Sequence, residues 1–309
     1  MSQARARGWA GAAVVALALP LTSCSAIAGL ALNSVSGVFA EAETVFRSDD
    51  DLELVGDALA FNLKTLETLL VSSPENEMLL LSAAKAFLLY AYVVVEPGLF
   101  ELDFTQFEER QAIRRRAGNL YRRGLDFGLR GLEVDRPGFA GRVRRNPATA
   151  VQELEEDDAA MALWTGTAMA ARVALEMDNP EATADLSTAG AILGRVKELD
   201  DLVDRGAVYD YLSLYEALRP GGSVELAREY YERAMELGPE RLPVLWTNWA
   251  ESGAIAAGDR SEFETVLQQT LDFDLETEPD DKLLNRIAQL RAAWLLENID
   301  DYFYDEDRD

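Results

Sequence analysis

The run from Met78 to Val95 is apolar on nearly every side of a helical wheel. A helix of that kind has to be enclosed, by other helices or by lipid. Before it, Leu59, Leu63, Leu66 and Leu70 recur at steps of four, three and four, which makes one apolar helical face. Ser72-Ser73-Pro74 ends that first helix, because proline lacks an N–H and disfavours helix in the residue before it. Glu75-Asn76-Glu77 then puts negative charge at the first turn of the second, where the macrodipole favours it. Lys85 sits near the middle of the apolar run, and the run is shorter than the ~20 residues a membrane span requires. Leu54 to Pro97 therefore reads as a helix hairpin whose second member lies at the centre of a helical protein.

No strand-like alternation of β-branched residues is sustained anywhere, so the mature chain reads as all-α. Further helices are expected at Phe107–Glu133, Ala159–Met177, Leu186–Leu202, Tyr209–Leu218, Val224–Leu237, Leu242–Ala257, Glu262–Phe273 and Asp281–Ile299. Ser48 to Asp51 supplies N-cap candidates for the first hairpin helix. Arg136 to Thr149, with Pro137-Gly138, Gly141 and Asn146-Pro147, reads as a loop. The arginines at 114–116 and 122–123 are expected to pair with carboxylates across helices. The acidic tail, residues 300–309, is expected to fray.

What the chain lacks narrows its chemistry. There is no histidine, which removes the commonest general base and the commonest metal ligand. One cysteine excludes an internal disulfide and a thiolate metal site. A net charge of −26 argues against nucleic acid and anionic headgroups as partners. Only carboxylate pairs could support catalysis easily, and with 55 acidic residues such pairs arise by chance. The chain reads as a binding protein, without catalytic residues, metal or cofactor.

The N-terminus reads as an address. Arg5 and Arg7 precede a short apolar stretch, Trp9 to Pro20, and then Leu21-Thr22-Ser23-Cys24. This resembles a bacterial lipoprotein leader, which implies cleavage of residues 1–23 and acylation of Cys24. Multiple acyl chains anchor stably, each buried CH₂ contributing ~0.8 kcal/mol. Ser25, where Asp could stand, resembles the sorting pattern for an outer membrane in a cell with two membranes. The mature chain from residue 24 to 309 would carry 27 basic and 55 acidic residues, a charge of −28, on one helical domain.

Tyr211, Leu214, Ala227, Tyr231, Ala234 and Pro239 match the tetratricopeptide spacing in register, within a repeat of ~34 residues. Tyr215 stands where that pattern prefers glycine. Three weaker echoes end at Pro74, Pro137 and Pro180, with irregular spacing. Helix pairs of this kind need neighbours to bury their faces, so a degenerate stack is expected.

Several stretches together resemble the TatT component of tripartite ATP-independent periplasmic (TRAP) transporters. They include Asp57 to Phe61 with Leu63-Lys64 and Glu67, Pro74 with Leu79 to Leu81, and Tyr90-Ala91. Tyr121, Arg123-Gly124 and Leu132 come next, then Gly206-Ala207, Gly221-Gly222 with Glu225 and Ala227, Leu284-Asn285, Leu295-Leu296 and Asp300-Asp301. Ala60 departs from an expected proline and Tyr209 from an expected histidine. The resemblance implies a lipid-anchored periplasmic protein that binds the solute-binding subunit of the transporter and self-associates. It also implies a role in holding a small hydrophobic ligand. Tyr90, Tyr92, Trp164, Trp246, Asn248 and Trp249 are the side chains expected to line a ligand or partner surface. The competing expectation is a general envelope scaffold with no small ligand.

Overall fold

The computed structural model describes residues 43–303. Cys24, the leader and the last residues of the acidic tail lie outside them. Every regular element among the described residues is helical. The principal helices are α1 (Leu52–Ser72), α2 (Glu77–Tyr90), α3 (Phe107–Asp135), α4 (Phe139–Arg145), α5 (Ala159–Leu175) and α6 (Leu186–Leu199). They continue with α7 (Val203–Leu218), α8 (Val224–Leu237), α9 (Leu242–Trp249), α10 (Arg260–Asp272) and α11 (Lys282–Glu297).

Local chemistry sets many of the boundaries. Asp51, Asn76, Ser223 and Asp259 cap α1, α2, α8 and α10, each side-chain oxygen accepting from a first-turn N–H. α1 buries Val55, Leu59, Leu63, Leu66 and Leu70. α2 is covered by α1, α3 and α5, and Leu79, Leu80, Ala83, Ala84 and Phe87 have no exposed surface. The stretch Glu77–Leu99 is long and apolar enough to cross a membrane. Here its faces are packed against helices, and Lys85 is paired with Glu43 at 2.9 Å.

Residues 136–149 are not a loop. Phe139 and Val143, four apart and wholly buried, give α4 an apolar face. The glycine and proline signals fall at its edges. Gly138 has φ 80° before the first turn, and Asn146 caps the short turn Pro147–Ala150. Elsewhere the expected helix ends shift by a few residues; Asp204, Arg205 and Gly206 are left-handed, so the regular part of α7 begins after them, close to the expected Tyr209. Two helices also change character before they end. α2 passes into a π turn at Ala91–Val95, and α9 into another at Ala250–Ala254.

Two large apolar cores result. One joins α1 to α7, and the other lies among α8, α9, α10 and α11. A third, small cluster of Val55, Leu59, Val93, Leu283 and Ile287 ties α1 and the first π turn to α11. The α7–α8 pair packs as the repeat pattern expects, with Ala227, Tyr231 and Ala234 buried. The anomalous Tyr215 fits because Gly190 of α6 has no side chain. A Cβ there would lie 2.2 Å from the Tyr215 ring carbon Cζ.

Gly190→Ala should therefore overpack the α6–α7 contact and lower stability by about 2 kcal/mol in urea unfolding. Adding Tyr215→Ala should recover part of that loss, since the colliding ring is gone.

Candidate functional site

A polar seam runs where the cores meet. Its centre is Arg291 of α11, a cation among Leu290, Ala292 and Leu295. Arg291 pairs with Glu251, which the second π turn carries. Tyr92 of the first π turn lies against the same guanidinium. Glu96, just beyond that turn, accepts a hydrogen bond from the hydroxyl of Tyr121 on α3. A π turn inserts an extra residue and re-aims the side chains after it, a device frequent at functional sites. Here two such turns converge on one arginine.

Burial is the largest influence on these groups. It pushes Glu96 up to about 7, with Arg291 and Tyr121 opposing and Glu251 adding to the rise. It raises Glu251 against the pull of Arg291. It also raises the Tyr121 phenol well above its usual range, with Glu96 adding to the shift. Burial alone would lower Arg291, but Glu251, Tyr92 and Glu96 hold it above its ordinary value.

The seam continues through Asp210 of α7, which is 6% exposed and accepts from Asn248 Nδ2 at 2.9 Å. Burial pushes Asp210 up to about 6, opposed by Arg241, Asn248 and Arg291. The adjacent Tyr211 lies beside Thr167 of α5. Toward the α2–α5 contact stands Trp164, with Lys85 Nζ 5.0 Å from its ring centre. Its indole N–H finds no hydrogen-bond partner among the described residues.

The expected surface residues separate into three places. Tyr92 and Asn248 belong to the seam, and Trp164 stands at one end of it. Tyr90 is partly buried on α2, its hydroxyl accepting from Arg116 at 3.3 Å. Trp246 packs edge-on to Phe273, with ring centres 6.2 Å apart. Trp249 is 1% exposed and stacks on Tyr231 at 4.7 Å, inside the second core. Sequence reasoning missed Glu96, Asp210, Glu251 and Arg291. Each is a charge inside or at the end of an apolar helical run, and that was the available signal.

The arginine cluster lies apart from the seam. Arg123 pairs with Glu67 across α3 and α1, as expected. Arg114 and Arg115 instead line a surface cleft of about 510 Å³ with Glu108, Asn119, Glu176 and Asn179.

A family model described as TRAP transporter T-component matches residues 48–303. The chain belongs to that family. A protein of Treponema pallidum (strain Nichols), described as uncharacterized, is 29% identical over 268 residues, covering 84% of this chain and 83% of its own. The T-component family is a transporter accessory family and not an enzyme family. This T-component places a perturbed carboxyl, Glu96, between Tyr121 of α3 and Arg291 of α11.

The folded pKa of Glu96 lies above its unfolded value of 4.5. The proton is thus held more tightly in the fold, and the contribution of Glu96 to stability is fully present below pH 4.5 and lost as pH rises through about 7. Relative to Glu96→Gln, the wild-type chain should lose on the order of 2–3 kcal/mol between pH 5 and pH 8 in urea titrations. Parallel pH profiles for the two proteins would contradict this placement.

Proposed function

We propose that this T-component is a lipid-anchored periplasmic protein that engages the solute-binding subunit of its transporter and receives a small, largely apolar ligand along the polar seam. Membership of the T-component family carries the reading. The leader resemblance ending in Cys24 supports the anchor, and the net charge of −26 suits a soluble body held near a membrane without adhering to its anionic headgroups. The seam supports the ligand. It lies where the apolar cores meet and carries a few polar groups that could orient a ligand: Tyr92, Asn248, Glu251 and Arg291. Tyr90, Trp164 and Trp246 are partly buried and retain surface for contact, whereas Trp249 acts as core. Self-association belongs to the same reading.

The test is a pull-down from periplasmic extract with the chain from Ser25 onward as bait. Recovery of an extracytoplasmic solute-binding protein supports the reading. Recovery of only outer-membrane assembly or cell-wall proteins overturns it in favour of a general scaffold. For the anchor, Cys24→Ala should release the protein from membranes while leaving its thermal unfolding unchanged; continued membrane retention would rule Cys24 out.

A further inference from the structure

The start of α7 holds the least expected backbone in the molecule. Asp204, Arg205 and Gly206 take φ values of 50°, 58° and 72°, three consecutive left-handed residues, of which only one is glycine. Non-glycine residues visit that region as isolated cases, since Cβ crowds the following carbonyl oxygen. Something outside the turn has to hold it.

The holding groups form one charged network. Arg205 donates to Asp281 Oδ2 at 2.7 Å and pairs with Glu240 at 2.6 Å. Arg241 donates to the Arg205 carbonyl at 3.2 Å. Asp204 lies 3.6 Å from Lys85 Nζ. Asp281 is wholly buried and has a second cationic partner, Arg47, whose Nε donates to Oδ1 at 2.9 Å. Lys85 likewise has a second anionic partner, Glu43, at 2.9 Å. Residues 43–47 are helical and lie ahead of α1. They therefore complete both ends of the network that pins the left-handed turn.

We propose that residues 43–47 act as a strap, whose Arg47–Asp281 and Glu43–Lys85 pairs keep the Asp204–Gly206 turn left-handed and hold Lys85 over Trp164. Arg47 takes up Oδ1 of the buried Asp281 at 2.9 Å, an oxygen that Arg205 Nη2 reaches only at 3.4 Å. Without it, Arg205 would be drawn to satisfy Asp281 alone and would leave Glu240. Glu43 shares Lys85 with Asp204, so its loss frees the ammonium from its seat between the turn and the indole. Pull or partner binding on the chain preceding Glu43 is felt at two places: the start of α7 and the aromatic wall formed by Trp164. The strap is an internal coupling and stands whatever the seam holds.

Hydrogen–deuterium exchange on the full chain in detergent tests it, comparing wild type with Arg47→Ala, Arg47→Lys and Glu43→Gln. Arg47→Ala should speed exchange about tenfold in peptides spanning residues 203–208, by local opening. Glu43→Gln should speed exchange in peptides spanning residues 160–167. Arg47→Lys, which keeps the charge opposite Asp281, should stay near wild type at both. Peptides from α6 and α10 should be unchanged in all three variants. Unaltered exchange at 203–208 in Arg47→Ala, or equal acceleration in α6 and α10, would overturn the proposal. The Glu43 side chain is partly exposed and glutamine matches its shape, so Glu43→Gln keeps the fold and the test stays decisive if Arg47→Ala fails to fold. Unaltered exchange at 160–167 in that variant would also overturn the strap.

Discussion

Enclosure of α2 is the constraint on which the rest of the structure depends. A helix with apolar residues on every side cannot face water, so α1, α3 and α5 are recruited around it. Burying a single leucine or phenylalanine side chain contributes about 1.5–3 kcal/mol, and α2 buries Leu79, Leu80, Phe87 and Leu88 together. Enclosure also fixes the course of the next segment. The chain leaves α2 through the π turn, beside α1 and α3, so Tyr92 and Glu96 are delivered partly buried between helices. The first apolar core thereby supplies one wall of the seam, and α9, the second π turn and α11 supply the other.

The seam is costly by ordinary stability arguments. A buried ion pair contributes little beyond offsetting its own desolvation, and breaking one partner costs about 3–5 kcal/mol. Arg291 is kept by Glu251, and Glu96 by Tyr121; Asp210 is kept by Asn248. Apolar residues of similar volume would hold the two cores together at least as well. The polar groups are better understood through what they can orient than through what they stabilise. The same applies to the left-handed turn at Asp204, where an unfavourable backbone is retained at the meeting of four charged elements.

Most of the helical architecture was legible in the sequence, because leucine periodicity and capping residues mark helices well. α8 was expected at Val224–Leu237 and is found there, with Ser223 capping its start and Gly238-Pro239 following its end. The α4 region misled, since Pro137-Gly138 and Asn146-Pro147 look like one loop when they are the two edges of a short helix. The tetratricopeptide spacing located a real helix pair, and the structure explains its misfit at Tyr215 by a glycine in a different helix. The seam was legible only in part. Tyr92 and Asn248 were expected at a binding surface, but π turns leave no periodic signature. The convergence of Glu96, Glu251 and Arg291 depends on contacts between residues far apart in the chain.

The most direct measurement is native mass spectrometry of the protein purified gently from its own cells. A ligand-holding seam predicts a species heavier than the denatured chain by a discrete small-molecule mass, removed on denaturation and weakened when Asn248 is replaced by leucine. Only the mass found after denaturation, in every charge state and preparation, would contradict the ligand and leave the seam as internal architecture.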